Sequence, residues 1–425
     1  MKTVYLAIMG LGTVGGGAYE ILKTNHDKIA AAYGVDIRVK KVLDRDEKKL
    51  REKVEPGQVC LNLEEILADS EISIVIEVMG GVEPAKTFIE KCMKAGKSVV
   101  TANKELISKH WGEIEAVAKA NGVGFYFEAS CVGGVPLIRT LKESMQGDNI
   151  RMITGIVNGT TNYILTKMTD EGMSYDDALK KAQELGYAEA NPTADVEGFD
   201  AMYKLSILAS LAFHTCIPYT AIYREGITKL TKSDVEYGKR MGYTLKLLAI
   251  GKREGNTVEV RVHPTFVRSA HPLAAVSGAF NAVFLNGDFV DDVMLYGRGA
   301  GARPTGSAIV SDVVYCATRE KHEYSDFDNN GRVADGITIA DDFMGKYYVA
   351  LTALDTAGAL SRIADVLGKN GVSIASVSQS GSGEGTVPII IMTHSASENA
   401  VMKSVATLGK LDCVKSVDSL IRVID

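Results

Sequence analysis

The sequence predicts an α/β protein with three parts: a doubly wound parallel sheet, an α+β domain, and a C-terminal domain with the element order βαββαβ. Three observations support this prediction. A glycine-rich turn joins the first strand to the first helix, and short apolar strands then alternate with amphipathic helices. Beyond the middle of the chain, a second pattern of strands and helices follows a polar segment. Strands separated by crossover helices form parallel sheets, so the first part is doubly wound.

The glycine-rich turn lies in the segment VYLAIMGLGTVGGG, in which Gly10, Gly12 and Gly15 have the spacing G-x-G-x-x-G. Gly10 permits a tight turn, Gly12 lets a pyrophosphate approach the backbone, and Gly15 allows the helix to pack closely on the strand. The phosphates would lie at the positive N-terminus of that helix. The segment therefore predicts a Rossmann-type domain that binds a dinucleotide, rather than a merely glycine-rich turn.

The later elements of this domain follow from apolar periodicity. Strands are predicted at 37–43, 73–78 and 98–101, and helices at 63–68 and 84–95. The dinucleotide-binding domain is predicted to span residues 1–125 and to be completed by residues of about 300–320.

The middle of the chain mixes both element types, which is typical of an α+β domain. Helices are predicted at 175–185 and 201–213, and strands at 257–262 and 282–285. We expect a substrate-binding and dimerisation domain over residues 126–300, and the polar segment 321–345, which contains Asp-Asn-Asn-Gly, is predicted to be a linker.

The C-terminal residues 346–425 are predicted to form strands and helices in the order βαββαβ, with helices on one face of a small sheet. This arrangement resembles the ACT ligand-sensing module, in which amino acids bind at paired domains. Ala357 stands where a proline is common, whereas Gly358 keeps the expected turn. An ACT-like regulatory domain is predicted, and a dimerisation module without a ligand is the alternative.

Composition narrows the class of protein. The chain has 425 residues, of which 46% are hydrophobic and 24% charged, with a net charge of −6. This balance is typical of a soluble globular protein and argues against nucleic acid or a membrane surface as a partner. Six scattered cysteines, no leader pattern and no apolar run of 18 residues predict a reduced, cytoplasmic protein.

Two lysines are candidate catalytic groups. Lys104 follows the strand 98–101, and ligands of doubly wound sheets bind at the carboxyl ends of strands. Lys204 and Asp200 are four residues apart, so they share a helix face at the start of an apolar helix. Several carboxylates nearby could bind a substrate ammonium group. The alternatives are a solvated surface lysine and a solvated acidic loop.

The segments that carry these features together resemble the homoserine dehydrogenase family. They are GLGTVG at 10–15, EVMGGVEPA at 77–85, VVTANK at 99–104, EASCVGGVP at 128–136, GIVNGTTNYIL at 155–165, AQELGYAEANPTADVEGFDAMYKL at 182–205 and GAGARPTGSAI at 299–309. The resemblance implies reversible hydride transfer between a nicotinamide cofactor and L-aspartate 4-semialdehyde, giving L-homoserine, on the route to threonine, methionine and isoleucine.

The resemblance also implies roles for individual residues. Lys104 and Lys204 would be catalytic and would flank the reacting oxygen. Because hydride transfer to an aldehyde leaves an alkoxide that needs a protic neighbour, we interpret Lys204 as proton relay and Lys104 as alkoxide stabiliser, and the sequence leaves the division between them open. The substrate would contact Thr160, Tyr187, Glu189, Asp195 and Asp200. The cofactor would contact Gly10, Gly12, Thr13, Val14, Gly15, Asp44, Arg45, Gly80, Thr101, Lys104 and Gly301. A monovalent cation, sodium or potassium, would bind the backbone carbonyls of Glu128, Cys131, Gly133 and Val135.

Cofactor choice depends on the end of the second strand. An acid there favours the ribose hydroxyl of NAD, and an arginine accommodates the phosphate of NADP. Asp44 and Arg45 stand side by side, and the resemblance favours Arg45, so we expect NADP to be preferred and NAD to be accepted.

Two other functions are alternatives. A phosphorylating aldehyde dehydrogenase would use Cys131 as a thiolate, activated by His214 or His263. A non-catalytic metabolite sensor would keep the dinucleotide site without turnover. Threonine is the expected effector of the ACT-like domain, and a homodimer or homotetramer is the expected assembly.

Overall fold

The computed structural model describes residues 1–379 and 385–424 of the chain. Residues 380–384 and 425 of the predicted regulatory domain lie outside the described residues.

The N-terminal part alternates strands and helices as predicted. Its elements are β1 (Lys2–Met9), α1 (Thr13–Thr24), α2 (His26–Tyr33), β2 (Val35–Leu43), α3 (Glu47–Lys53), β3 (Val59–Cys60), α4 (Leu63–Ala68), β4 (Ile72–Glu77), α5 (Ala85–Lys94), β5 (Ser98–Thr101), α6 (Lys104–Asn121) and β6 (Phe125–Tyr126). The strands pair in the order β3-β2-β1-β4-β5-β6, and all of these pairings are parallel. This order is that of a Rossmann-type doubly wound sheet, which confirms the predicted fold class.

Apolar side chains of the first strand cover both faces of this sheet. Leu6 and Ile8 belong to one buried cluster with α1 and a helix from later in the chain, residues 302–318. Ala7 and Met9 belong to another, with α5 and α6. Successive side chains of a strand point to opposite faces, so a fully apolar β1 requires helices on both sides.

The middle of the chain forms a mixed α+β domain. Its elements are α7 (Leu137–Arg139), β7 (Ile150–Ile156), α8 (Gly159–Glu171), α9 (Tyr175–Glu184), α10 (Thr193–Val196), α11 (Phe199–Phe213), β8 (Tyr223–Arg224), α12 (Lys232–Arg240), β9 (Tyr243–Glu254), β10 (Thr257–Arg268), β11 (Phe280–Gly287), β12 (Asp292–Arg298), α13 (Ala302–Thr318) and β13 (Thr338–Ile339). The predicted strand 257–262 continues to Arg268 because β10 pairs with β9 along its whole length.

The chain returns to the first domain through α13. A Cβ built on Gly17 of α1 would lie 2.1 Å from the carbonyl oxygen of Ala302. One built on Gly306 would lie 2.8 Å from the backbone nitrogen of Ala18. Only glycine permits this approach, so α1 and α13 pack backbone to backbone.

The C-terminal part has the predicted element order with one short strand added. Its elements are β14 (Met344–Leu354), α14 (Ala359–Lys369), β15 (Ile374–Gln379), β16 (Thr386–Thr393), β17 (Ala396–Ser397), α15 (Glu398–Leu408) and β18 (Val414–Ile424). The pattern predicts a small sheet, but β18 pairs in parallel with β10, placing Arg422 opposite Thr265. One continuous sheet therefore runs through the middle and C-terminal parts, in the order β12-β11-β7-β9-β10-β18-β14-β16-β15.

The segment predicted to be a linker is packed against both neighbours. Tyr126 and His322 are joined by a hydrogen bond of 2.7 Å, and the Ser325 backbone nitrogen donates to Glu115 over 2.7 Å. Thr338 and Ile339 pair with β10. The polar composition of residues 321–345 thus indicates a connecting segment. This segment does not lie free in solvent but packs against the parts of the chain that it connects.

Helices that could span a bilayer are absent from the described part of the chain.

Candidate functional site

The turn formed by Gly10, Gly12 and Gly15 leaves room for a dinucleotide pyrophosphate next to the backbone. Gly10 has φ 101°, and a Cβ there would lie 2.7 Å from the carbonyl oxygen of Val78. A Cβ on Gly15 would lie 1.9 Å from the oxygen of Gly10, whereas one on Gly12 would meet nothing within 4 Å. Gly12 is the N-cap residue of α1 and has no side chain that could accept a hydrogen bond. The backbone N–H groups of Thr13 and Val14 in the first turn of α1 therefore have no side-chain cap. These residues fit a bound pyrophosphate.

Asp44 supports this turn. Its carboxylate accepts from the backbone nitrogen of Leu11 over 2.6 Å and from that of Asp46 over 3.0 Å. Burial raises the pKa of the Asp44 carboxyl, but these hydrogen bonds outweigh burial and hold it below its ordinary value. Arg45 is exposed, and Lys49 and Lys53, which the sequence analysis did not single out, line the cavity beside Gly12.

Gly301 lies where the chain rejoins the glycine turn. It has φ 121° and caps the N-terminus of α13. Because Ala302 contacts Gly17 and lines the same cavity as Gly12, Gly301 is placed beside the predicted phosphate site.

The carboxyl edge of the parallel sheet is organised by a buried acid. Glu77 accepts from the Thr101 hydroxyl over 2.7 Å and from the Met79 backbone nitrogen over 2.8 Å, and burial raises its pKa. Gly80 follows with φ 79°. Asn103 donates to the carbonyl of Gly81 over 2.6 Å and caps α6 by accepting from the nitrogen of Leu106. The predicted cofactor residue Thr101 therefore directs its hydroxyl at Glu77. Glu77 had no assigned role, although it begins the EVMGGVEPA segment.

The two predicted catalytic lysines meet on one carboxylate. Lys104 begins α6 in the dinucleotide domain, and its Nζ lies 3.0 Å from Oδ1 of Asp200. Lys204 lies one turn after Asp200 in α11, and its Nζ lies 2.7 Å from Oδ2. The second hydrogen bond of Lys204 goes to the carbonyl of Val157, also over 2.7 Å. The Lys204 side chain is 9% exposed and that of Lys104 41%, so Lys104 is the more accessible group.

Electrostatics reinforces this cluster. Burial raises the pKa of Asp200, but Lys204 and Lys104 outweigh burial and bring it well below its ordinary value. Asp200 in turn raises the pKa of Lys104. A second ammonium group nearby would lower the pKa of Lys104, whereas a carboxylate raises it. For Lys104 the carboxylate dominates, so its ammonium stays charged near neutral pH.

Asp195 joins the cluster through Asn158. The Asn158 amide donates to Asp195 over 2.7 Å and to Asp200 over 2.8 Å, and its oxygen caps α8 at the nitrogen of Thr161. Burial and then the neighbouring Asp200 raise the pKa of Asp195. Sequence reasoning assigned no role to Asn158. Its position before Gly-Thr-Thr, at the start of a helix, is a capping signal that could have identified it.

The remaining predicted substrate residues lie on the rim. The Thr160 hydroxyl donates to the carbonyl of Tyr187 over 2.6 Å. Tyr187 is exposed, and its ring packs on Tyr163 at 4.7 Å. Glu189 is exposed, its carbonyl accepts from Gln183, and it forms no ion pair within residues 1–379 and 385–424. The structure therefore brings Asp195 and Asp200 to the lysines, but not Glu189.

The predicted cation site lies in a strained buried loop. Val132 has φ 49° and Gly133 has φ 50°, and positive φ is rare for a β-branched residue. In the described chain, no backbone hydrogen bond reaches the carbonyls of Cys131 and Gly133, whereas that of Val135 accepts from Leu137 over 2.8 Å. Buried carbonyl groups normally have partners, so the free ones fit a cation.

Side chains anchor the same loop. The Glu128 carboxylate accepts from the backbone nitrogens of Ile138 and Arg139, over 3.0 and 2.7 Å. The Glu128 nitrogen donates to Asp312 of α13 over 2.8 Å. A cluster of three or more His, Cys, Asp or Glu side chains that could hold a metal is absent from the described residues. Any cation here would thus depend on backbone oxygens.

Cys131 is unsuited to nucleophilic attack. Its thiol is fully buried, and burial raises its pKa to about 12. His214 is paired with Asp326 on the surface, and His263 is buried and stacked on Phe343. Neither proposed activating histidine contacts the thiol in the described structure. The geometry therefore disfavours a phosphorylating aldehyde dehydrogenase that acts through Cys131.

We accordingly expect Cys131→Ala to keep turnover within about threefold of wild type, because a nucleophile must be deprotonated and accessible to matter. Steady-state kinetics with L-homoserine, the substrate that the resemblance implies, check this, with circular dichroism confirming the fold. A loss of turnover without a loss of folded protein would restore the thiol mechanism.

Comparisons with known proteins agree with this geometry. Family models described as "Homoserine dehydrogenase", "Homoserine dehydrogenase, NAD binding domain" and "ACT domain" match residues 136–314, 10–128 and 347–409. The homoserine dehydrogenase of Neisseria gonorrhoeae is 38% identical over 100% of this chain and 99% of its own, and that of Lactococcus lactis is 42% identical over 92% of each.

Solved structures show the same relationship. A homoserine dehydrogenase from Thiobacillus denitrificans superimposes with a TM-score of 0.93 at 38% identity, covering 100% of this chain and 99% of its own. A hyperthermophilic archaeal homoserine dehydrogenase in complex with NADPH gives a TM-score of 0.63 at 29% identity, covering 74% of this chain and 97% of its own. The parallel sheet, the paired lysines and these matches agree, and the chain belongs to the homoserine dehydrogenase family.

Proposed function

We propose that the cluster of Lys104, Asp200 and Lys204 carries the NAD(P)-dependent interconversion of L-homoserine and L-aspartate 4-semialdehyde. The observation that supports this most is that one buried carboxylate holds two ammonium groups from different domains. They lie beside the carboxyl edge of the dinucleotide-binding sheet, where ligands of such folds bind.

Lys104 is suited to stabilise the reacting oxygen. A bound nicotinamide supplies or accepts the hydride, and reduction of the aldehyde leaves negative charge on that oxygen. Lys104 is charged because Asp200 raises its pKa, and it is accessible enough to donate a hydrogen bond there. Donors placed where charge develops lower the barrier more than they stabilise the ground state.

Lys204 is suited to move the proton. An ammonium group has three N–H donors, and in Lys204 two are held by Asp200 and Val157. The third is left for the substrate oxygen. Asp200 stays ionised because its pKa is lowered, so it orients both lysines and does not carry the proton itself.

The ammonium and carboxylate groups of the substrate would be held by different residues. Asp195 and Glu189 are the proposed partners of the substrate ammonium. Thr160 lies in the first turn of α8, where the positive end of the helix favours the substrate carboxylate.

The direct test is homoserine-dependent reduction of NADP by the purified chain, followed by the absorbance of the reduced nicotinamide. The control replaces L-homoserine with D-homoserine, because the site has fixed charged groups for one enantiomer. No absorbance change with L-homoserine and either cofactor would contradict the proposed function and favour the alternative of a non-catalytic sensor.

We also propose that NADP is preferred over NAD. The Asp44 carboxylate is already bound by the nitrogens of Leu11 and Asp46 and is therefore less available to a ribose hydroxyl. Arg45 is exposed, and Lys49 lies nearby with its Nζ 3.5 Å from Asp44. Positive groups beside this strand end suit a phosphate.

Arg45→Ala is expected to lower kcat/KM for NADP by about tenfold to a hundredfold and to change kcat/KM for NAD little, because only NADP carries the additional phosphate on the ribose 2′ position. Parallel kinetics with both cofactors measure this, and Lys28→Ala, an exposed lysine of α2, is the matched control. An equal fall for both cofactors would mean that Arg45 does not read the phosphate.

We propose that sodium or potassium binds the carbonyls of Glu128, Cys131, Gly133 and Val135. The positive φ of Val132 and the carbonyls of Cys131 and Gly133, which accept no backbone hydrogen bond from the described residues, support this site, whereas the carbonyls of Glu128 and Val135 accept from Cys131 and Leu137. A ligand that binds only the folded state stabilises it, by about 2.7 kcal/mol at a hundred times its Kd.

Replacing sodium and potassium by tetramethylammonium at constant ionic strength is therefore expected to lower Tm, because the larger ion cannot enter the loop. Thermal unfolding checks this, and titrating potassium back should restore Tm with saturation. A Tm that follows ionic strength alone would speak against a specific cation.

We also propose that an amino acid regulates the protein and that the chain forms homo-oligomers. The C-terminal domain matches the ACT model, which supports an amino-acid effector, and we propose threonine. Gly358, with φ 87°, forms the turn at which α14 begins. Assembly as a homodimer or a homotetramer stays a prediction, and mass photometry would distinguish the two. A cytoplasmic location also stays a prediction.

A further inference from the structure

A cavity of about 580 Å³ lies between α6 and α11, the two helices that carry the lysines of the candidate site. Several residues of α6 form one wall, and α11 contributes Ser206 and Ser210. The segments 216–220 and 328–331 close the remaining sides. Small-molecule sites typically have volumes of about 300–1,000 Å³, so this cavity can hold a small molecule. Its lining residues differ from those of the lysine cluster.

Two N–H groups in the walls of this cavity have no acceptor. Trp111 of α6 is 6% exposed, and its Nε1 has no hydrogen-bond partner within residues 1–379 and 385–424. The same holds, among the described residues, for the buried Nδ2 of Asn329. Both residues line the cavity. Buried donors normally have partners, because an unsatisfied donor has lost its hydrogen bond to water.

The two donors are held close to each other. Gly112 directly follows Trp111, and a Cβ built on Gly112 would lie 1.6 Å from the carbonyl oxygen of Asn329 and 3.7 Å from its Cγ. Segment 328–331 is therefore in backbone contact with α6, an approach that only glycine permits. A carbonyl oxygen has two lone pairs, so one ligand oxygen can accept from both donors.

The charged side chains of the cavity leave little for a charged ligand. Within the described chain, Asp328 is the only one of them without an ion-pair partner. It is exposed to water and accepts from the Asn330 amide over 2.8 Å. The others form the pairs Lys109–Glu105, His110–Glu113 and Lys119–Glu115, joined over 2.6, 3.0 and 3.4 Å.

The rest of the lining is apolar or already hydrogen-bonded. Ile107, Ile217 and Pro218 supply aliphatic surface. The Ser206 hydroxyl donates to the carbonyl of Ile217, and the Ser210 hydroxyl to that of Ser206, each over 2.6 Å. An uncharged molecule with an apolar body and a carbonyl oxygen therefore complements this cavity.

The cavity also lies where α6 is interrupted. His110 has φ −137° and ψ 16°, which is not helical, so α6 consists of two segments that meet at the cavity wall. The first segment begins with Lys104, whose Nζ lies 3.0 Å from Oδ1 of Asp200 in α11. That ion pair joins the same two helices that the cavity separates. A ligand that fills the cavity therefore acts on the separation of Lys104 and Asp200.

We propose that this cavity binds a small uncharged carbonyl compound with a compact apolar ring, such as a lactam, with its oxygen on the N–H groups of Trp111 and Asn329. The occupant changes the packing of α6 on α11 and thereby lowers kcat without competing with homoserine. The effect on kcat rests on the proposed function, whereas the binding site does not.

Trp111 is the only tryptophan of the chain, so its fluorescence reports on this cavity. The test is a fluorescence titration of the full chain with ε-caprolactam, with excitation selective for tryptophan. Azepane is the matched control ligand, because it has the same ring size but carries an ammonium group and no carbonyl. We expect caprolactam to change the emission with saturation and a Kd of about 1 mM, which is typical of so small a ligand. Azepane should change nothing.

Variants locate the ligand. Asn329→Ala should weaken caprolactam binding by about threefold to tenfold, as loss of one neutral hydrogen bond does. Ala116→Phe, at an exposed position of α6 that lines the cavity, should fill the cavity and abolish binding. Ala120→Phe, at an exposed position of the same helix outside the cavity, is the matched control and should bind as wild type does. Circular dichroism confirms that each variant is folded.

Four outcomes would contradict the inference. Absence of caprolactam binding would overturn it, and so would binding that persists undiminished in Ala116→Phe, because the ligand would then lie elsewhere. Binding of azepane in place of caprolactam would point to Asp328 instead of the two donors. A kcat for homoserine oxidation that saturating caprolactam leaves unchanged would overturn the coupling to the lysines. No oxidation by wild type without caprolactam would instead refute the proposed function, and the fluorescence titration would still decide whether the cavity binds.

Discussion

Lys204→Ala is expected to lower kcat for homoserine oxidation by about 10² to 10⁴, the usual cost of losing a general acid or base. The ammonium of Lys204 is buried between Asp200 and the carbonyl of Val157. Steady-state and single-turnover kinetics measure the effect. KM should change much less than kcat, because the group acts on the reacting oxygen.

Lys97→Met is the matched control for removing a buried lysine. Lys97 donates to the carbonyls of Asp69 and Ile72 at the opposite end of the parallel sheet. Its loss should lower stability without lowering the turnover of the folded enzyme. Wild-type turnover in Lys204→Ala would refute the assigned role.

Asp200→Asn is expected to lower both stability and turnover. It leaves the ammonium groups of Lys104 and Lys204 beside a neutral amide, and breaking a buried ion pair costs about 3–5 kcal/mol. Turnover should fall by about 10² or more, because neither lysine is then held at the cleft. Urea unfolding monitored by circular dichroism measures the loss of stability, and steady-state kinetics measure the loss of turnover.

The stability difference between wild type and Asp200→Asn should depend on pH. The folded pKa of Asp200 lies below its unfolded value of about 4, so its contribution is complete above that pH and is lost as pH falls through the folded value. The difference should be constant from about pH 6 to 8 and should narrow below about pH 4. Asp170→Asn, on an exposed position of α8, is the control. A difference that persists undiminished in acid would show that the carboxylate charge is not what stabilises the cluster.

Local signals located most elements closely. The helix predicted at 63–68 has those bounds in the structure, the helix predicted at 175–185 ends one residue earlier, and Gly358 lies at a helix end with positive φ. Apolar periodicity and glycine turns depend on neighbouring residues only, so they can be read from the chain. The glycine spacing likewise identified the turn at Gly10 before any packing was known.

Contacts between distant segments could not be predicted in this way. Asn158 bridges Asp195 and Asp200, and Glu77 holds the hydroxyl of Thr101. Nothing in the local spacing of these residues indicates these partners. The joining of β18 to β10 also depends on which strand edges meet after the domains have folded.

The sequence by itself determined the doubly wound sheet, the dinucleotide turn and the two lysines as candidates, because each follows from short-range periodicity or from a motif. Only the tertiary structure decided that one carboxylate binds both lysines, that the Cys131 thiol is buried and its pKa raised, and that the C-terminal sheet continues the middle one. Burial and ion pairing arise from residues far apart in the chain, and they set the charge of each group only after folding.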